Sequence, residues 1–167
     1  MHVRSWRIGH RGLYPQDVLD AVSVEEREPV WRDTLAVPSP GRIVLVAERA
    51  GSIVGFASGG PARERSNEAT AEVYELFVDP EVLGTGTGHA LFRATLNQLE
   101  RAGFDAVTIW VVEGNELARR FYEREGLVAD GMSKRAKLRD AEVTEIRYSA
   151  SISPPGSRGS IPRSGSS

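Results

Sequence analysis

Three glycines alternate with threonines in VDPEVLGTGTGHALF, a stretch that lies between an apolar run and a helical pattern. Gly84, Gly86 and Gly88 leave the backbone amides around them unobstructed. A helix that begins there would add unpaired N–H groups and the positive end of its dipole, both of which attract an anion. Because each glycine costs about 0.5–1 kcal/mol relative to alanine in regular structure, three in one turn indicate more than flexibility. The stretch therefore predicts a phosphate or pyrophosphate site.

Two nucleotide-binding motifs are close to this pattern. The P-loop requires GxxxxGK[ST], and the segment from Gly84 to His89 has no lysine followed by a hydroxyl residue. The Rossmann fingerprint GxGxxG starts directly after a strand and has an acidic residue near the end of the next strand. Glu113 fits that acidic position, but the glycines are spaced GxGxG and DPEVL separates them from the strand. The spacing therefore disfavours both motifs and leaves the Rossmann turn as the open alternative.

The flanking sequence predicts a strand before this turn and a helix after it, within an α/β domain. Two strands in RIVLVAERAGSIVGFASGG are joined in a hairpin at Ala50–Gly51, and AEVYELFV is the third strand. The apolar residues of HALFRATLNQLERAG recur at helical spacing up to Gly103, which can take a left-handed cap. Next come the strand AVTIWVV, a helix between the N-cap Asn115 and the C-cap Gly126, and two closing strands in LVADGMSKRAKL and EVTEIRYSA.

The two ends of the chain differ in character. Residues 1–37 are predicted to be helical, with one helix in WRIGHR and another that begins at a capping box of Ser23 and Glu26. At the other end, SISPPGSRGSIPRSGSS has little apolar surface to bury and predicts a flexible tail over residues 151–167. The folded domain is therefore predicted to span residues 1–150.

Composition narrows the class of protein. A chain of 167 residues, 40% hydrophobic and 26% charged, suits one globular domain. The net charge of -2, with both signs interspersed, favours neither nucleic acid nor an anionic membrane as partner. The absence of cysteine excludes thiolate nucleophiles and cysteine-ligated zinc, and the three scattered histidines predict no metal site. With no run long enough to span a membrane and no signal peptide, we expect a cytoplasmic protein.

The order of strand, LGTGTG turn, helix, strand and GNELARRFYEREGL block resembles the GNAT superfamily of acyl-CoA-dependent N-acetyltransferases. Motif A of that family runs Q/R-x-x-G-x-G/A, and Gly86 and Gly88 fall on its two glycines, with Gly84 on a common extra one. The second block is similar to the family's next motif, N-x-x-A-x-x-F-Y-x-x-x-G. The resemblance covers residues 42–150 and implies a GNAT-type α/β fold, a mixed, mostly antiparallel central sheet flanked by helices.

Two features depart from the family pattern. Leu83 stands in place of the motif's Q/R, and threonines and a histidine stand where basic residues are common. Fewer side-chain charges would therefore assist the backbone amides. Proteins of this fold usually open with a strand, whereas MHVRSWRIGHRGLYP is typical of a helix. We therefore expect the first strand to be missing, or the true start to lie upstream, and the sheet to have an exposed edge.

The resemblance implies acetyl-CoA as the cofactor, with its pyrophosphate on the backbone amides of the glycine turn. It also implies that the third strand splays from its neighbour, so that its backbone binds the pantetheine arm, and that the helix cap Asn115 adds a polar contact. The implied cofactor-binding residues are Leu76, Phe77, Val78, Gly84, Thr85, Gly86, Thr87, Gly88, His89 and Asn115. The resemblance implies no metal.

Transfer of an acetyl group from a thioester to an amine needs a base, since an alkylammonium has a pKa of about 10, and a proton donor for the departing thiolate. Glu72 aligns with the glutamate base of related lysine acetyltransferases and is the preferred candidate. Glu75, which strand alternation places on the opposite face of the sheet, and Glu113 are the other candidates. Glu72 or Glu75 could instead form only an ion pair with an arginine. Tyr122 matches the position of the family's general acid.

The implied reaction is direct attack by a primary amine, taken to be that of a small molecule, in a ternary complex with acetyl-CoA. A protein N-terminus or lysine as acceptor, and a non-catalytic acyl-CoA-binding module, remain alternatives. Residues of the helical region and of a later strand could line an acceptor groove, although packing on the sheet explains the tryptophans equally well and is preferred for Trp31. These residues are Trp6, His10, Arg11, Tyr14, Trp31 and Met132. A monomer and a homodimer are both compatible with the sequence.

Overall fold

The structure is a computed structural model that describes residues 1–37, 39–64 and 69–152. Within these ranges, helices come first, and strands with two further helices between them follow. The helices are α1 (His2–Gly9), α2 (Gln16–Ala21), α3 (Val24–Ala36), α4 (Thr87–Arg101) and α5 (Glu116–Arg124). The strands are β1 (Ile43–Arg49), β2 (Ser52–Pro61), β3 (Thr70–Val78), β4 (Ala106–Val112), β5 (Val128–Leu138) and β6 (Ala141–Ser151), and a 3₁₀ turn covers Pro80–Val82.

The strands form one sheet in the order β1-β2-β3-β4-β6-β5. Neighbouring strands are antiparallel except for β3 and β4, which are parallel. This confirms the predicted mixed, mostly antiparallel sheet flanked by helices. Residues 1–37 contribute helices and no strand, so β1 lies at the edge of the sheet, as expected from the missing first strand.

Local sequence determines several element ends. The Ser23 hydroxyl accepts a hydrogen bond from the Glu26 N–H at 3.2 Å, which confirms the N-cap of α3. Asn115 caps α5 in the same way through the Ala118 N–H at 3.1 Å. After α4, Gly103 has a φ of 96°, a left-handed conformation that glycine adopts without steric cost. The first helix differs from its prediction, because α1 begins at His2 and ends at Gly9 rather than covering WRIGHR.

The helices cover both faces of the sheet with separate apolar clusters. On one face, α4 and α5 bury residues such as Phe92 and Tyr122 against β3, β4 and β6. On the other, α1 and α2 bury residues such as Trp6 and Leu19 near Phe77. Each fully buried large apolar side chain contributes about 1.5–3 kcal/mol. In contrast, α3 has no buried residue among those described, so its apolar contribution to stability is small.

The last described strand extends one residue into the segment predicted to be a tail. Strand β6 runs to Ser151 rather than ending at 150, and Ile152 packs against the core. The rest of the predicted flexible tail, residues 153–167, lies outside the described residues. No helix in the described part of the chain is long and apolar enough to cross a membrane.

Candidate functional site

The central feature of the site is a fork between β3 and β4. The two strands pair only where Thr70 to Glu72 face Ala106 to Thr108, and beyond that point no described residue of β3 pairs with β4. The Thr108 hydroxyl donates a hydrogen bond to the Ala71 carbonyl at 3.2 Å, at the closed end of the fork. From Val73 onward, one edge of β3 is therefore available to hydrogen-bond a ligand.

A β-bulge in β3 changes which side chains share a face. Ser58 pairs with Glu75 and Gly59 pairs with Val73, so Tyr74 is an extra residue in β3. An extra residue shifts the two-residue alternation by one position. Glu72 and Glu75 therefore lie on the same face of the sheet, the one opposite α4, and the prediction of opposite faces was wrong.

Glu72 is buried and tied to Arg63. Its side chain accepts hydrogen bonds from the Arg63 backbone N–H and from Arg63 Nε, each at 3.0 Å, and also pairs with Arg63 Nη2. Only 1% of Glu72 is exposed. Both carboxylate oxygens of Glu72 are therefore already engaged by Arg63, which leaves them little access to a substrate.

Glu75 lies in a different environment. Ser58, opposite it on β2, donates a hydrogen bond to its carboxylate, and burial raises its pKa above the ordinary value despite the nearby positive charges of Arg27, Arg63 and Arg42. His2 of α1 is also close, with 3.9 Å between Nε2 and Glu75 Oε1. The carboxylate borders a small opening of about 50 Å³, which is lined by His2, Arg27, Val30, Trp31, Thr34, Arg42 and Glu75.

A third carboxylate on this face was not singled out from the sequence. Glu145 of β6 is close enough to Glu72 and Arg63 to interact electrostatically, and burial raises its pKa. It pairs with Lys134 at 3.9 Å. No local motif marks Glu145, because the sheet brings it to the site from a distant part of the chain. Glu113, the remaining candidate base, is exposed.

The glycine turn has the geometry of an anion cradle. Gly84 and Gly86 have left-handed φ angles of 76° and 84°, and a Cβ built at either would meet no atom within 4 Å. Gly86 is the N-cap of α4 and provides no side-chain cap, so the first amides of α4 have no partner in the helix. A side chain at these two positions would project into the open space that an anion would need.

The polar side chains of the turn are engaged by other groups of the protein. The Thr85 hydroxyl donates to the Val82 carbonyl at 2.7 Å and lies 2.9 Å from the Thr87 hydroxyl. His89 Nδ1 lies 2.7 Å from Glu125 Oε1, which links the first turn of α4 to the end of α5. The turn therefore offers an anion backbone amides more than free side-chain cations.

The turn is also anchored to the first helix. Asp79, between β3 and the 3₁₀ turn, accepts a hydrogen bond from the Glu81 N–H at 3.0 Å. Arg4 of α1 forms ion pairs with both Asp79 and Glu81. The Arg4 guanidinium lowers the pKa of Asp79, so the pair is charged at neutral pH.

Tyr122 lies on α5, and Asn115 is the N-cap of that helix. Tyr122 is buried against the rings of Phe92, Phe121 and Tyr148, with centroid distances of 5.5, 5.1 and 6.5 Å. Burial raises the pKa of its hydroxyl, which therefore stays protonated at neutral pH, and no described group hydrogen-bonds to it. Asn115 caps α5 and donates through Nδ2 to the Gly9 carbonyl at 3.4 Å, so it also joins α5 to α1.

The predicted acceptor-side residues separate into two groups. Trp6 and Tyr14 are buried in the cluster under α1 and α2, and His10 stacks on Trp6 at 4.7 Å, so these rings pack the helices onto the sheet. Arg11 and Trp31 line a groove of about 560 Å³ along α1, α2 and α3. Met132, exposed on β5, does not line it. The described residues contain no cluster of metal-ligating side chains.

A sheet that opens into a fork beside a glycine-bounded helix N-terminus defines the acyl-CoA-dependent N-acetyltransferase class that the motifs predicted. The chain belongs to the acetyltransferase (GNAT) family, whose family model matches residues 10–127.

Three similar proteins illustrate the relationship. The uncharacterized N-acetyltransferase YuaI of Bacillus subtilis is 30% identical over 115 residues, which are 69% of this chain and 64% of that protein. A mycothiol acetyltransferase of Thermobispora bispora is 43% identical over 84 residues, 49% of this chain and 28% of that protein. The PaiA N-acetyltransferase of Thermoplasma acidophilum, solved with coenzyme A, superposes with a TM-score of 0.64 at 16% identity, covering 87% of this chain and 86% of that one. The chain thus spans less than two thirds of both sequence relatives.

Proposed function

We propose that the protein is an N-acetyltransferase that moves an acetyl group from acetyl-CoA to the primary amine of a small molecule. The observation that carries this proposal is the fork between β3 and β4 next to the unobstructed turn at Gly84 and Gly86. The turn supplies amides for a pyrophosphate, and the free edge of β3 supplies a backbone for an extended arm. The names of the mycothiol acetyltransferases among the relatives support a small-molecule acceptor.

The residues present fit acetyl-CoA. The cradle would consist of the amides around Gly84, Gly86 and Gly88, helped by Thr85, Thr87 and His89 at the start of α4. The backbone of Leu76, Phe77 and Val78 would hydrogen-bond the pantetheine arm along the fork and polarise the thioester carbonyl, with Asn115 nearby on α5. When bound, the donor supplies an activated acetyl group, so the chain needs no nucleophile of its own.

Glu75 is the carboxylate that we assign as the base, in preference to Glu72. Both carboxylates lie on the acceptor face of the sheet. Arg63 donates hydrogen bonds to the Glu72 carboxylate. Glu75 instead borders an opening, and burial raises its pKa. A raised pKa brings a carboxylate closer to the range in which proton transfer is efficient at neutral pH. Glu72 then orders the strand through Arg63.

The proton balance of the reaction requires two proton transfers from the acceptor amine. An acceptor ammonium carries three protons and its amide product carries one, so two protons must leave. Glu75 accepts the first and passes it to solvent, which frees the amine to attack. As the C–N bond forms and the C–S bond breaks, the protonated hydroxyl of Tyr122 donates a proton to the departing sulfur and is reprotonated by the second one.

Turnover with defined amines tests the proposal. Release of free thiol from acetyl-CoA would be followed with ethanolamine, putrescine, tyramine, glucosamine and lysine, and with a peptide that has a free N-terminus. We expect acetylation of at least one small amine, and loss of turnover in Tyr122→Phe and Glu75→Gln without loss of CoA binding. Tight CoA binding without any turnover would instead support a non-catalytic CoA-binding module. Acetylation of the peptide alone would contradict the small-molecule acceptor.

A further inference from the structure

The Trp31 side chain of α3 makes one polar contact, with His2 of α1. The indole Nε1–H donates a hydrogen bond to His2 Nδ1 at 3.0 Å. Packing was the preferred prediction for Trp31, and its ring does pack edge-to-face on Phe56 at 5.0 Å. The hydrogen bond is an additional feature that packing does not require.

This contact selects one form of the imidazole. An indole N–H can only donate, so His2 Nδ1 must accept and carries no proton. The single proton of the neutral ring then resides on Nε2. Burial lowers the pKa of His2 to about 4, and the positive charge of Arg27 acts in the same direction. His2 is therefore neutral, with an N–H at Nε2, throughout the neutral range.

That N–H lies towards Glu75. Nε2 is 3.9 Å from Glu75 Oε1, a distance that one bridging water or a small side-chain rotation converts to a hydrogen bond. The imidazole ring is held in this place by Phe56 and Phe77, with centroid distances of 4.7 and 5.4 Å. The position of the N–H is thus fixed by packing as well as by Trp31.

We propose that Trp31 and His2 are positioning residues for Glu75: the indole holds the imidazole in its Nε2–H tautomer, and that N–H orients and stabilises the carboxylate that receives the amine proton. The role of Glu75 as the catalytic base rests on the proposed function. The tautomer of His2 and its effect on the Glu75 carboxylate do not depend on that function. The charged groups around Glu75 are Arg27 of α3, Arg42 before β1 and Arg63 after β2, and Ser58 of β2 adds a hydroxyl donor.

The tautomer is tested directly by NMR of the full chain with ¹⁵N-labelled histidine. Long-range ¹H–¹⁵N spectra distinguish a protonated from an unprotonated ring nitrogen. We expect His2 to show the Nε2–H form at neutral pH, and Trp31→Phe, which keeps the aromatic packing and removes the donor, to show a mixture of tautomers. A wild-type His2 with its proton on Nδ1 would overturn the proposal.

The effect on Glu75 is tested by ¹³C carboxyl titration in His2 variants. His2→Phe keeps a ring in the aromatic cluster but has no N–H, so the pKa of Glu75 should rise by about one unit, because a donor to the charged form is lost. His2→Gln restores an N–H and should recover most of the shift. His10→Phe is the matched control: His10 Nδ1 bonds the Trp6 carbonyl at 2.9 Å rather than serving Glu75, so the Glu75 titration should not move.

The kinetic form of the test uses whichever amine the panel identifies. In His2→Phe the acid limb of the kcat/KM profile should move to higher pH with the Glu75 titration, whereas a purely structural defect would lower kcat/KM at every pH. An unchanged Glu75 titration in His2→Phe would overturn the inference even if the enzyme is active. Conversely, absence of turnover in the wild type would remove the proposed function while leaving the NMR results to decide the tautomer and its effect on Glu75.

Discussion

Replacing Gly86 by alanine separates the stability of the glycine turn from its ability to bind an anion. Gly86 has a φ of 84°, and an added Cβ would meet no atom within 4 Å. The cost to folding is therefore one of backbone conformation alone, about 1–2 kcal/mol for an L-residue in the left-handed region. For a chain of this size that corresponds to a melting temperature lower by about 3–6 °C.

The expected cost to CoA binding has a different origin. The new methyl group would project into the open space in front of the first amides of α4, where we place the pyrophosphate. We expect affinity for CoA to fall at least tenfold, or about 1.4 kcal/mol.

Gly103 provides a matched control at the opposite end of α4. Its φ is 96°, and an added Cβ there also meets no atom within 4 Å. Gly103→Ala should therefore lose about the same stability as Gly86→Ala but keep its CoA affinity. Thermal unfolding and isothermal titration with CoA measure both quantities on both variants. Wild-type affinity in Gly86→Ala, or an equal loss of affinity in Gly103→Ala, would refute the placement of the pyrophosphate.

Three further predictions follow from buried polar groups. Tyr122→Phe should lower kcat by about 10²-fold or more with little change in melting temperature, because the described contacts leave the hydroxyl without a hydrogen bond; an unchanged kcat would exclude it as the acid. Burial raises the folded-state pKa of Glu75, so the folded protein binds this proton more readily than the unfolded chain, and stability falls as pH rises through that interval. Glu75→Gln should therefore increase the free energy of unfolding at about pH 7 but not below the unfolded pKa, as urea titrations at both pH values would show. Arg63→Ala leaves the buried Glu72 carboxylate without its partner and should cost about 1–3 kcal/mol in urea unfolding, whereas Arg120→Ala, which removes only an exposed helical pair, should cost under about 0.5 kcal/mol.

Local sequence predicted the elements well because their determinants are local. Helix caps such as Ser23 and Asn115, and the left-handed Gly103, act within three or four residues of their own positions. The mixed, mostly antiparallel character of the sheet followed from the family resemblance, which carries long-range information that spacing alone does not.

The relation between Glu72 and Glu75 could not be predicted, because it depends on the register of β3 against β2. The bulge at Tyr74 exists only in that pairing, and it moves Glu75 to the face of Glu72. The partner of Glu72 was equally hidden, since Arg63 lies in a polar stretch that reads as a loop. The shared face of the two carboxylates and the contact of Glu72 with Arg63 both depend on tertiary structure, and both bear on which carboxylate we propose as the base.

The helix α1 contacts both sides of the candidate site. Its eight residues include His2, which faces Glu75, and Arg4, which forms an ion pair with Asp79 just before the glycine turn. The first turn of α1 thus contacts the proposed acceptor side through His2 and the proposed donor side through Arg4. We expect a ligand that restrains α1 through one of these contacts to lower the entropic cost of binding at the other, and thermodynamic reciprocity makes this coupling free energy equal in both orders of addition.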